Sequence, residues 1–185
     1  MNKAVLSPPT CRGPVGLGAK RTLVFSAIPF FVKDKTIILQ MFVVVLFNMS
    51  NIVFYYHTEF VLSNEAPLQT WLNTIAAAEK KELLQVEYSF VDVKEITKLN
   101  QAHLKHNYAT DVLAFDYSSG NQIHGEVFVC EQAVRANAAE LNEPFLKELH
   151  RVVLHGLLHL FGHEDNTQEQ QKNIRALEDK YLKEL

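Results

Sequence analysis

His155-Gly156-Leu157-Leu158-His159-Leu160-Phe161-Gly162-His163-Glu164-Asp165 reads as H-x-x-x-H-x-x-G-x-x-D, and the organisation of the chain can be built outward from it. An α-helix rises about 1.5 Å and turns about 100° per residue, so His155 and His159 share one face roughly 6 Å apart. Two imidazole nitrogens so placed can converge on one ion at about 2.0–2.1 Å. Farther along the same straight helix there is no third ligand, because Asp165 would lie about 15 Å away along the axis. The helix therefore has to stop. Gly162 is suited to stop it, since glycine takes the left-handed conformation of a C-terminal cap without steric cost. The turn it makes can swing Asp165 back toward the two imidazoles. His163 competes for the same role as the next member of the i, i+4, i+8 series. On an unbroken helix, however, it stands about 12 Å from His155, and after a break at Gly162 it has little chain with which to fold back. We take Asp165 as the third ligand and His163 as its rival.

The residues around the histidines say where this helix sits. Leu146, Leu149, Val153, Leu157, Leu160 and Phe161 give it an apolar surface wide enough for a central, largely buried element. Burial suits a metal-binding element, because packing fixes the ligand positions. Gly156 inside a helix costs roughly 0.5–1 kcal/mol against alanine, which predicts a close approach to the backbone beside His155. It also occupies the position where an H-E-x-x-H zinc protease carries its glutamate base, so a peptidase reading is weak. The bland alternative treats His155 and His159 as ordinary histidines of an amphipathic helix. The glycine and the correctly spaced carboxylate argue against it.

Outside this segment, periodicity and turn chemistry predict the remaining elements. Ile52 to Tyr56 reads as a strand. A helix opens at Pro67 and runs to about Lys80, with Leu68, Trp71, Leu72 and Ile75 at helical spacing. Leu84 to Val91 alternates as a second strand. Asp92-Val93-Lys94-Glu95 resembles a capping box that starts a helix through Leu99 toward His103. Val112 to Tyr117 and Gly125 to Cys130 read as strands joined through Ser118-Ser119-Gly120-Asn121. Glu131 to Leu141 is a helix, Pro144 begins the long helix ending at Gly162, and Thr167 with Gln170 caps a last helix to Leu185. The order β-α-β-α-β-β-α-α-α predicts a single layered α+β domain. Its four-stranded mixed sheet is packed with helices, and the metal site lies at the end of a central helix.

Composition bounds the rest. The chain has 185 residues, 48% hydrophobic and 21% charged, enough for one domain with a sizeable core. Cys11 and Cys130 make neither a disulfide framework nor a C-x-x-C site, so a reduced, cytoplasmic setting is expected. Residues 1–48 carry six Lys or Arg against one acid, leaving twelve basic and twenty acidic residues in the remainder, a net of about −8 there. The apolar run from Ile37 to Phe47 is too short for a bilayer, which needs about 20 residues. No small-residue cleavage site follows it, and the low serine content counts against a transit peptide. We expect residues 1–48 to be an extension, either disordered or upstream of a natural start at Met49. The folded domain is then 49–185, with no membrane contact.

Three segments resemble one known family. They are Leu99-Asn100 before a basic loop, Thr110-Asp111-Val112-Leu113-Ala114-Phe115 against the family's T-D-V-L-S-F, and His155 to Asp165 against its H-G-x-L-H-L-x-G-x-D-H. Over Met49 to about Leu185 the chain resembles the YbeY family of metal-dependent endoribonucleases, or rRNA maturation factors. That resemblance implies a single-strand endoribonuclease acting in rRNA maturation at the 16S rRNA 3′ end and in ribosome quality control. Its implied partners are rRNA and the small ribosomal subunit or its proteins. Two positions depart from the family. Its commonest third ligand is histidine where this chain has Asp165, and its arginine six residues before the T-D pair is here Leu104.

Aspartate ligates zinc at about 2.0–2.2 Å, so one divalent ion per chain, Zn²⁺ first, is expected on His155, His159 and Asp165. A two-histidine, one-carboxylate set also suits other divalent metals. Lys105 or His106 can take the phosphate-side role of the missing arginine, although Lys105 also reads as a solvated loop lysine. Thr110 and Asp111 are expected to cap or brace the following strand. Two other classes stay open: a non-catalytic ribosome-assembly factor with a structural metal, and a zinc hydrolase of another substrate. The acidic balance alone would not have suggested RNA, since phosphate contacts usually demand a basic surface.

Overall fold

The computed structural model describes residues 5–6 and 51–185. The expected start at Met49, and all of the preceding segment except Val5 and Leu6, lie outside the described residues. Strand β1 is the two-residue Val5–Leu6. The other strands are β2 (Ile52–Tyr56), β3 (Glu82–Val91), β4 (Val112–Asp116) and β5 (Gln122–Cys130). Helices α1 (Ala66–Ala78), α2 (Val93–Leu104), α3 (Glu131–Leu141), α4 (Phe145–Leu160) and α5 (Gln168–Leu182) complete the fold. Residues 51–185 thus supply four strands in the expected order, and β1 adds a short fifth beside β4.

The sheet runs β1-β4-β5-β3-β2. β2 and β3 pair in parallel, as do β3 and β5, while β4 and β5 form an antiparallel hairpin with Val112 opposite Val129 and Asp116 opposite Gly125. Strands β3 and β5 begin earlier than local alternation suggested, at Glu82 and Gln122. These two ends pair with each other (Glu82 with Gln122, Leu83 with Ile123), so the neighbouring strand extends each of them.

Alternation along the strands sorts side chains onto two faces. Val112, Ala114, Val127 and Val129 join the larger core, against α4, with Trp71, Leu72 and Ile75 of α1 and Ile174 and Tyr181 of α5. Leu113 and Phe115 point the other way, into a smaller cluster with Val91, Cys130 and Ile96 of α2. Cys130 is a buried free thiol whose pKa is raised chiefly by desolvation.

Local chemistry sets the helix ends. The Asp92 carboxylate accepts from the Glu95 N–H at 2.7 Å, the usual N-cap bond. The reciprocal half of the expected box is absent, because the Glu95 side chain pairs with Lys98 at 3.1 Å instead. At Thr167 and Gln170 the box is complete in both directions. Pro144 stands just outside α4 as its N-cap residue, and the helix ends at Leu160, two residues before Gly162. No helix among the described residues is long and apolar enough to cross a membrane.

α4 is the central element, with every residue from Val152 to Leu160 buried. It lies directly on the β4–β5 hairpin. A Cβ on Gly156 would stand 2.5 Å from Val127 Cγ1 and 3.2 Å from Val112 Cγ2. The close approach anticipated beside His155 is therefore made by the sheet.

Candidate metal centre

His155 and His159 lie one turn apart on α4, with ring centroids 4.4 Å apart and planes perpendicular. The helix then terminates as the glycine predicts. Gly162 has φ +93°, its N–H donates to the His159 carbonyl at 2.9 Å, and the His163 N–H donates to the Leu158 carbonyl at 3.0 Å. These are the two bonds of a Schellman cap, which reverses the chain sharply. Asp165 follows three residues later, where its side chain is only 9% exposed and Oδ2 stands 3.8 Å from His155 Nε2. One ligand atom from each of His155, His159 and Asp165 falls within 4.8 Å of the other two. The side chain of His163 is outside this group. It is half-buried, and desolvation is the largest influence holding its pKa below the ordinary imidazole value.

Each histidine has its second ring nitrogen committed. His155 Nδ1–H donates to Glu178 Oε1 at 2.5 Å, and His159 Nδ1–H donates to the His163 carbonyl oxygen at 2.8 Å. Both acceptors lack a proton to give, so both imidazoles carry hydrogen on Nδ1 and present the Nε2 lone pair. Metal-ligating histidines are held in this way, with the remote N–H tied to a carboxylate or carbonyl. His155 Nε2 is buried and has no hydrogen bond. A buried acceptor left so is costly in an apolar core and natural beside a cation. Two imidazole nitrogens and one carboxylate oxygen are a donor set that fits a divalent ion.

Glu178 was not legible as part of this centre. It lies on α5, 23 residues beyond His155, and is 3% exposed. Its other oxygen, Oε2, accepts from Arg151 at 3.2 Å and from Arg175 at 3.1 Å. Arg151 also pairs with Asp179 at 2.8 Å and with Glu148 at 3.5 Å. The available signal was that Ile174, Glu178 and Tyr181 share one stripe of α5, placing an acid among buried apolar residues.

The other sequence candidates come from the end of α2 and the segment leading into β4. Lys105 is the exposed, left-handed cap of α2 (φ 60°), and His106 follows it with its ring stacked on Tyr108 at 5.2 Å. None of the hydrogen bonds, ion pairs or ring contacts described for these two reaches the His155–His159–Asp165 group. Asp111 is buried at the head of β4, where its carboxylate accepts from Asn137 of α3 at 2.9 Å and its carbonyl from the Cys130 N–H at 2.8 Å. The Thr110 hydroxyl donates to Asp111 Oδ1 at 3.3 Å. These contacts brace the strand.

Comparison with known proteins identifies the family. Residues 57–185 match the family model described as Endoribonuclease YbeY. The Endoribonuclease YbeY of Flavobacterium johnsoniae is 38% identical over 129 residues, covering 70% of this chain and 93% of that protein. Its counterpart in Cytophaga hutchinsonii is 39% identical over 126 residues, covering 68% and 88%. The solution structure of a Thermotoga maritima protein superposes with a TM-score of 0.55 at 31% identity, covering 72% of this chain and 87% of that one.

Proposed function

The chain belongs to the YbeY endoribonuclease family, and from that premise we propose that it is a metal-dependent endoribonuclease. Its substrate on this reading is single-stranded RNA in ribosomal RNA maturation, at the 16S rRNA 3′ end, with a further part in ribosome quality control. The small ribosomal subunit or its proteins are the docking partner, and the setting is the cytoplasm. The observation that carries the reading is the buried His155–His159–Asp165 group, whose two imidazoles are both held in the Nδ1–H form.

His155, His159 and Asp165 would hold one divalent ion, with Zn²⁺ the first choice for this donor set. When bound, such an ion supplies Lewis acidity toward a phosphoryl oxygen and toward water. The protein's part is positional. Glu178 and the His163 carbonyl fix the two rings, and the cap at Gly162 delivers Asp165. Gly156 offers no side chain to move a proton, so no general base stands where a zinc peptidase has one. Lys105 and His106 are proposed as phosphate-side groups, Lys105 as an exposed cation and His106 through its ring nitrogens. Three protein donors among the described residues would leave room for water or substrate and favour this reading over a structural metal, which is closed by four.

The test is cleavage of a ribosomal RNA precursor with an extended 3′ end by purified, Zn²⁺-loaded protein, with His155→Ala as control. Cleavage by the wild type and none by the variant is the expected result. No cleavage by loaded wild type, with or without ribosomes, would overturn the assignment.

A further inference from the structure

Glu178 divides its two oxygens between unlike partners. Oε1 faces His155 Nδ1 at 2.5 Å, whereas Oε2 is shared by the guanidiniums of Arg151 and Arg175 at 3.2 and 3.1 Å. Arg151 is itself mostly buried and anchored to Asp179 and Glu148, so the arginine side of the carboxylate cannot easily be turned away. The two guanidiniums can only donate and hold Glu178 ionised, and an ionised carboxylate facing His155 Nδ1 makes that nitrogen a donor as well. Only a group with an acceptor at each end satisfies both, and among side chains of this size only an ionised carboxylate does so. We propose that Glu178 is a positioning residue that selects the tautomer of His155, and that the arginine pair fixes which of its oxygens performs this task. The proposal rests on the metal-dependent reading above. It adds that the affinity of the His155 arm is set from α5, by a residue that does not touch the ion.

The arrangement makes the isosteric substitution the more damaging one. In Glu178→Gln the side chain has one acceptor and one donor end. Two guanidiniums compete with one neutral ring N–H for the single oxygen, and charge-assisted bonds are roughly twice as strong as neutral ones. The oxygen therefore stays with Arg151 and Arg175, and the NH₂ group is turned onto His155 Nδ1. That nitrogen must then accept, which moves the ring proton to Nε2, the nitrogen that should face the ion. The same logic explains why an asparagine in place of a triad aspartate holds a histidine in the wrong tautomer. Glu178→Ala only removes the acceptor and leaves His155 free to adopt either form. A residue that merely filled space would show the reverse order, with Gln milder than Ala.

The experiment uses the full chain and two readouts. Nitrogen-15 NMR of the imidazoles in metal-free protein reports the His155 tautomer, and competition against a chromophoric chelator gives Zn²⁺ affinity. The wild type is expected in the Nδ1–H form and Glu178→Gln in the Nε2–H form. Zn²⁺ affinity is expected to fall about 100-fold in Glu178→Gln and about 10-fold in Glu178→Ala, the two ends of the range for outer-shell partners. Glu178→Asp keeps the charge for the arginines but shortens the reach to His155. It replaces either variant that fails to fold, with a loss of about 10-fold expected. Retention of the Nδ1–H form in Glu178→Gln, a milder effect of Gln than of Ala, or wild-type affinity in Glu178→Asp would overturn the proposal. Because the tautomer is read without metal, failure of the wild type to bind Zn²⁺ would overturn the functional reading separately.

Discussion

Gly156→Ala should destabilise the domain although it improves the intrinsic helix propensity of α4. The added Cβ would lie 2.5 Å from Val127 Cγ1 and 3.2 Å from Val112 Cγ2. Carbon atoms prefer about 3.5–4.0 Å, so the shorter contact is deficient by about 1 Å. Val127 cannot readily yield. It is fully buried in β5, between β3 and β4, and valine has little χ1 freedom. Overpacking of a tight core costs about 1–3 kcal/mol, and the glycine-to-alanine gain returns roughly 0.5–1 kcal/mol. The net loss is about 1–2 kcal/mol, which for a domain of this size lowers Tm by about 3–10 °C. Thermal unfolding followed by circular dichroism on wild type, Gly156→Ala, Val127→Ala and the double variant checks the reasoning. Val127→Ala removes the shorter contact and leaves only Val112 Cγ2 at 3.2 Å, so Gly156→Ala should cost clearly less in the Val127→Ala background than in the wild type. A Tm raised by Gly156→Ala would refute the clash, as would single effects that add within about 0.3–0.5 kcal/mol in the double variant.

Gly162→Ala meets open space but must hold φ near +93°, so it should cost about 1–2 kcal/mol and weaken Zn²⁺ binding through Asp165, both measurable by calorimetry. His155→Ala and Asp165→Ala should each abolish stoichiometric Zn²⁺ after gel filtration, read by metal analysis; full retention in Asp165→Ala would return the third position to His163. Chelation of bound Zn²⁺ should lower Tm, and readdition at about 100 times Kd should restore about 2.7 kcal/mol. Burial drives the Tyr88 phenol well above its ordinary value of 10.0, and its hydroxyl donates to the Val153 carbonyl at 3.1 Å. Below pH 10 both folded and unfolded states keep that proton; above it only the unfolded state releases it. Tyr88 should therefore contribute a loss of about 1.4 kcal/mol per pH unit above pH 10. Tyr88→Phe should remove that slope in alkaline denaturation, after a loss of about 0.5–1.5 kcal/mol at neutral pH from the hydrogen bond.

The spacing of His155 and His159, the stop at Gly162 and the return of Asp165 could be read from the sequence because each depends on fewer than a dozen residues and on the fixed geometry of one helix and its cap. Boundaries were less legible where partners decide them. β5 reaches back to Gln122 because β3 is there to pair with it, and Glu95 leaves its cap because Lys98 is within reach. Glu178 was missed for a related reason, since a charge on the buried stripe of α5 reveals that it has a partner but not which one.

By itself the sequence determined the order of the elements over residues 51–185, the helix that bears the histidines and the candidate donors, all of which follow from local periodicity and backbone preference. Tertiary structure alone decided the sheet order, the seating of Gly156 on Val127, and the placing of Glu178 and the His163 carbonyl behind the two imidazoles. Those arrangements come from packing between elements distant along the chain. Burial then makes every unpaired donor or acceptor costly, and so selects the partners that no local pattern records.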